Sequence, residues 1–191
     1  MEPYQKHPIS NGMKLLAEIS DATLGIGEPE QLDEMYELRK SARAILLNEN
    51  GEMAVQYLQN HFFHKLPGGG VENGESREEA VRREIKEEVG CECVVKELIG
   101  VTIEYRAQYK MIHISYCFVA EVDGPITEPH LEQGEIEEGM ITLWMKPVEA
   151  LKKMEIDTPN TYQGPFILKR ELAFLREYTN QYYEIMKRDE T

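Results

Sequence analysis

Glu84, Glu87 and Glu88 stand at i, i+3 and i+4 of a stretch with helical periodicity, so their carboxylates leave one patch of a helix surface. Like charges packed so closely repel, and either solvent screens them or a cation joins them. A solvated acidic face is the plain alternative. Against it, the apolar stripe of the same helix is Val81, Ile85 and Val89, and Glu84 and Glu88 curve toward that stripe. The cluster therefore begins at the rim of a buried side. Oxygen donors at this density suit Mg²⁺, with Mn²⁺ as a substitute, far better than zinc. Arg83 beside them can hold one carboxylate through a forked hydrogen bond.

The elements that must position these side chains are legible on either side. Gly68, Gly69 and Gly70 follow Pro67, and three adjacent glycines predict a loop that lets main chain approach something closely. Ser76 with Glu79 three residues on has the pattern of a capping box, and Gly90 suits the left-handed position just past a helix end. Together they predict one helix from about 77 to 89.

Written as a pattern, Gly69, five residues, Glu75, seven residues and then Arg83-Glu84-Ile85-Lys86-Glu87-Glu88-Val89-Gly90 resembles the Nudix box. The closing aliphatic position departs from it, being Cys91, which bears on packing and leaves the acids intact. The resemblance implies a Nudix-like α/β/α sandwich with a mixed central sheet. It implies hydrolysis of a pyrophosphate linked to a nucleoside and a second group X, with a small nucleotide as substrate. Its ligand set falls on the Gly68 carbonyl, Glu84, Glu87 and Glu88. Glu75 would orient the loop and the cluster, and Arg83 would pin a box glutamate. The general base would be Glu87, Glu88 or the inward member of Glu135, Glu137 and Glu138, from which Glu138 is taken into the catalytic set. A ligand-sensing module without turnover is the alternative class; the intact glutamates argue against it.

Substrate signals are sparser. His64 occupies a position where the family often carries tryptophan, and no proline stands about sixteen residues past the box, where ADP-ribose preference is often marked. Tyr109 resembles a tyrosine often seen in dinucleoside-polyphosphate hydrolases. Phe63 offers a ring that stacks on a base or packs into the core.

The 191 residues suffice for one well-buried domain, with 41% apolar and 29% charged residues as in soluble globular chains. Lys and Arg number 21 against 35 Asp and Glu, a net charge of −14. So acidic a surface repels duplex nucleic acid, while a bound divalent ion would still admit a small phosphorylated substrate. Cys91, Cys93 and Cys117 make an odd, sparse set that argues against a disulfide framework. With no apolar run long enough for a membrane span and no secretion signal at Met1–Lys6, a cytoplasmic protein is expected.

Residues 1–38 read as an N-terminal extension of short elements, and 39–191 as the main domain. Covering a sheet edge, making a homodimer contact and completing a substrate pocket are the roles open to the extension. Ala42–Leu47, Asn48–Gly51 and Met53–Leu58 predict a strand, a turn and a strand. Cys93–Val101 and Met111–Val122 predict further strands, the latter central, and Ile141–Met145 another. Pro147 opens a short helix, and Pro165 to about Arg188 predicts a long amphipathic one.

Overall fold

The computed structural model describes residues 13–28 and 35–189, with side chains as far as residue 181. In chain order its strands are β1 (Leu15–Ser20), β2 (Glu37–Leu47), β3 (Met53–Leu58), β4 (Phe63–Lys65), β5 (Gly68–Gly70), β6 (Glu92–Arg106), β7 (Met111–Asp123) and β8 (Met140–Met145). The helices are α1 (Asp21–Leu24), α2 (Arg77–Glu88), α3 (Gln133–Glu137), α4 (Pro147–Glu155) and α5 (Gly164–Asp189). Of the N-terminal extension expected over residues 1–38, residues 1–12 and 29–34 lie outside the described residues.

Strand alternation sends successive side chains to opposite faces of a sheet, and here both faces are apolar. On one, Ala42, Ala44 and Leu46 of β2 pack with Ala80, Val81, Ile85 and Val89 of the α2 segment. On the other, Ile45 of β2 and Val119 of β7 pack with Met154 of α4 and Phe174 and Leu175 of α5. A sheet apolar on both sides needs helices on both sides, which makes an α/β/α sandwich. The strands form one mixed sheet in the order β1-β6-β7-β2-β3-β4, with β5 pairing β2 and β8 pairing β3. β7 is central as predicted, lying between an antiparallel β6 and a parallel β2. β1 adds a parallel edge strand to β6, so the N-terminal segment Leu15–Ser20 covers that edge.

Helix α2 starts and stops where its sequence says. Ser76 caps it, accepting from the Glu79 amide while the Glu79 side chain accepts from the Ser76 amide. At its end Gly90 takes φ of 80°, and a Cβ there would overlap the Thr127 carbonyl, so only glycine lets the 127 loop close against the helix.

Three expectations are corrected. The triple glycine is a strand: Gly68, Gly69 and Gly70 pair with Arg43, Ala42 and Ser41 of β2. Their freedom serves proximity more than looping, because a Cβ on Gly68 would overlap the Ala42 carbonyl and one on Gly69 the Glu84 carboxylate. The expected β2–β3 hairpin is paired only at Leu47 and Met53. Beyond that pair the strands part, because β5 takes the edge of β2 while β3 pairs with β4 and β8. Phe63 is not available to stack on a base; it is buried with Leu58 and Met140. Strand β4 turns it inward, so Phe63→Ala should lower unfolding free energy by about 3 to 5 kcal/mol in urea titration.

Candidate active site

Strand β5, helix α2 and the turn before α3 converge on one cleft. Its acidic wall carries Glu84, Glu87, Glu88, Glu132 and Glu135, and its opposite lip carries Arg39, Arg43 and Lys65 around the glycine strand. Glu88 points inward and is only 2% exposed. Its Oε2 accepts from the Gly68 amide at 2.6 Å and its Oε1 from Lys65 Nζ at 3.0 Å. Glu84 is half-buried, and Glu87 is the most open of the three.

Arg83 ties the acids to the glycine strand. Its Nη1 donates to Glu84 at 2.8 Å and to Glu87 at 3.2 Å, and its Nη2 donates to the Gly70 carbonyl at 2.8 Å. A fork from Nε and Nη2 to the two Glu75 oxygens, at 3.0 and 3.2 Å, fixes the guanidinium from behind. Glu75 in turn accepts from the Glu72 amide at 3.0 Å, which folds the loop ahead of α2. The box residues Glu75, Arg83, Glu84, Glu87 and Glu88 are thus brought together beside Gly68. The Gly68 carbonyl lies in the same cleft and accepts from Arg43 Nη1.

The other expected residues are elsewhere. Glu138 is not in the cleft: it ends α3, with a carboxylate oxygen 4.0 Å from His61 Nε2. Glu135 is the inward acid, because Glu132 caps α3 and its amide donates to Glu135 Oε2 at 2.8 Å, turning that side chain toward the helix start. Tyr109 does not line the cleft; it sits in the Ala107–Tyr109 turn, edge-on to Tyr162 at 5.1 Å. Arg39, Arg43 and Lys65 were missed. A cation within an apolar strand, as in Ala42-Arg43-Ala44-Ile45, was the available signal.

The charges are not at rest. Burial raises the Glu84 carboxyl above the ordinary carboxylate range, and the Glu88 charge pushes the same way. Burial also works against the Glu88 charge, but Lys65, a hydrogen bond from Glu135, Arg43 and the Gly68 amide outweigh it and hold Glu88 low. Burial, followed by that hydrogen bond to Glu88, pushes Glu135 up to about 7. Near neutral pH Glu135 therefore stands between its protonated and ionised forms, its proton held against the Glu88 carboxylate.

The donor set is all oxygen and fits a hard divalent cation. Gly69 reinforces the fit, since its missing Cβ is what lets backbone and the Glu84 carboxylate share one space. Among the described residues no three carboxylates converge as a ready ligand set. Arg83 and Lys65 pair with them instead.

A model of the NUDIX domain matches residues 37–164, well over half of the chain. The ADP-ribose pyrophosphatase of Methanocaldococcus jannaschii is 49% identical over 82 residues, 42% of this chain and 48% of that protein. The RNA pyrophosphohydrolase of a Marinomonas species is 35% identical over 77 residues, 39% of this chain and 48% of that protein. The curated relatives are matched over only 26–48% of their own length. A NUDIX hydrolase from Nitrosomonas europaea shares the fold, with a TM-score of 0.56 at 19% identity over 76% of this chain and 90% of that one. No helix among the described residues is long and apolar enough to cross a membrane.

The shared proton has a measurable sign. Glu135 binds it more tightly folded than unfolded, so its contribution to stability is full below the ordinary value of 4.5 and lost as pH rises through about 7. Glu135→Gln mimics the protonated form. In metal-free buffer it should match the wild-type melting temperature at pH 5 and exceed it at pH 8, as scanning calorimetry will show.

Proposed function

Because the chain belongs to the NUDIX domain family, we propose that it hydrolyses the pyrophosphate linkage of a small nucleoside diphosphate derivative with the help of Mg²⁺. The observation that carries this reading is the cleft in which Glu84, Glu87, Glu88 and Glu135 face a glycine strand while Arg39 stands on the opposite lip. Both relatives reported above carry names for cleaving pyrophosphate.

A pyrophosphate is negative on every face, so hydroxide approaches it slowly. A divalent ion, when bound, would neutralise phosphate oxygens and make water acidic enough to deliver a nucleophile near neutral pH. Glu84, Glu87, Glu88 and the Gly68 carbonyl would hold it. Mg²⁺ is the expected ion and Mn²⁺ the expected substitute. Glu88 suits a fixed anchor, since Lys65 and the Gly68 amide already set its orientation. Glu135 suits the general base in place of Glu138. It lines the same cleft as the box glutamates, and once an entering ion has released its proton its carboxylate could take one from water. Water oxygen bonds to phosphorus, the bridging P–O bond breaks, and two phosphate products leave.

Among the described residues neither Arg39 nor Arg43 has an ion pair with a carboxylate; Arg43 is committed to the Gly68 carbonyl, whereas the Arg39 guanidinium lies beside Gly70. It is free to take a phosphate oxygen remote from the acids. Arg83, by contrast, is already spent on Glu75, Glu84 and Glu87.

The test is turnover of a panel of nucleoside triphosphates, dinucleoside polyphosphates, ADP-ribose and nucleotide sugars with Mg²⁺, read as phosphate or mononucleotide release. Glu87→Gln should lower kcat by about 100-fold or more through loss of the ion. Glu135→Gln should lower kcat by a similar ~10² with KM nearly unchanged. Arg39→Ala should do the reverse, raising KM about ten-fold for one lost charged hydrogen bond. Wild-type protein inert toward the whole panel, or activity indifferent to EDTA, would overturn the proposal.

A further inference from the structure

The stretch that joins β7 to α3 brings two acids to the cleft, Glu132 at its end and Glu135 within α3. Its composition gives it little reason to hold still. From Gly124 to Gly134 every residue is exposed except Leu131. A segment so open to water loses backbone freedom on folding, and hydrogen bonds at a wet surface offset only part of that loss.

Two kinds of contact hold it. Upstream, the loop is tied to the end of α2: the Thr127 amide and Oγ1 both donate to the Gly90 carbonyl at 2.8 Å, and the His130 amide donates to the Glu87 carbonyl at 2.7 Å. These bonds fix main chain ahead of the acids. The next side chain then turns inward. Leu131 packs against Leu58 at the end of β3, Phe63 of β4, Met140 at the start of β8 and Ile167 in the first turn of α5.

Directly after that leucine, the Glu132 amide donates to Glu135 Oε2 at 2.8 Å. The direction of this amide, and with it that of the Glu135 side chain, follows from how Leu131 is seated. The seat also borders the cleft. Phe63 and Lys65 flank His64 in β4 and so share one face of the strand, and Lys65 is the residue that reaches Glu88. The ring whose type suggested stacking on a base is instead the floor under a leucine.

We infer that Leu131 is a positioning residue: seated among Leu58, Phe63, Met140 and Ile167, it sets the entry to α3 so that Glu132 and Glu135 face the cleft. Its effect on turnover rests on the reading of Glu135 as the general base; the seating does not.

The test uses the full chain with Leu131→Ala, which empties the seat, and Leu131→Met, which refills it with a side chain of similar volume. Ile126→Ala is the control, an apolar residue 48% exposed on the same loop. In metal-free protein, amide hydrogen exchange across 130–137 should rise about ten-fold in Leu131→Ala. Exchange across 80–88 should not change, and Leu131→Met and Ile126→Ala should both behave as wild type. With a nucleotide from the panel above that the wild type turns over, Leu131→Ala should lower kcat about ten-fold and leave KM within about two-fold, and Leu131→Met should restore kcat. In a Glu135→Gln background the same truncation should cost kcat no more than about two-fold, because the group it acts through is already gone. Unchanged exchange across 130–137, with only the melting temperature lowered, would reduce Leu131 to a packing residue. A loss of kcat that persists undiminished in the Glu135→Gln background would overturn the positioning of that carboxyl. Ile167→Ala opens the same seat from α5 and decides the question should Leu131→Ala fold poorly. Wild-type protein inert toward the panel would sink the general base alone, leaving exchange to decide the seat.

Discussion

Mutual repulsion among carboxylates is the constraint around which this molecule is arranged. Glu84, Glu87, Glu88 and Glu135 share one cleft, and bringing four such groups out of bulk water favours the unfolded chain unless each is answered. The answers come from separate places in the sequence. Arg83 meets two of them from the same helix, Lys65 meets Glu88 from the end of β4, and Glu135 meets it with a proton lost only around pH 7. Charge balanced from within the chain is what lets these acids sit together out of bulk water.

The glycine strand is the geometric counterpart of that electrostatic arrangement. Positive charge on the substrate side must approach the acids closely, and side chains on β5 would stand between them. Without Cβ atoms at Gly68 and Gly69, main chain lies directly against Ala42 and Glu84. The register of β5 on β2 then places Arg43 opposite Gly68, the residue whose carbonyl it holds. Helix α2 is fixed at both ends, by the Ser76 cap and by the Gly90 contact with Thr127, so its acidic face cannot rotate away from that strand.

Much of this was readable from local pattern. The start and end of α2, its apolar stripe and the grouping of its acids follow from spacings of three and four residues, and those spacings act within a single helix. What escaped depended on distant contacts. Glu135 and Glu138 are equivalent in composition, and only the cap of a five-residue helix against the 132 position turns one inward. Gly68–Gly70 looked like a loop because propensity speaks for glycine flexibility, whereas tertiary crowding made a strand of it. Phe63 offered no sign of the side it would face, since β4 is three residues long and too short to show alternation. The buried cluster of Glu104, His113, Arg170 and Glu171 was hidden for the same reason: its members come from strands and a helix dozens of residues apart.

Family membership and the charges of the cleft both support the proposed phosphoric anhydride chemistry. The most direct measurement is anomalous diffraction from crystals equilibrated with Mn²⁺. An ion held as proposed gives a peak between Glu84, Glu87, Glu88 and the Gly68 carbonyl, with Lys65 or Arg83 withdrawn from at least one carboxylate. Intact links from Arg83 and Lys65 at saturating Mn²⁺, with no peak in the cleft, would contradict that arrangement.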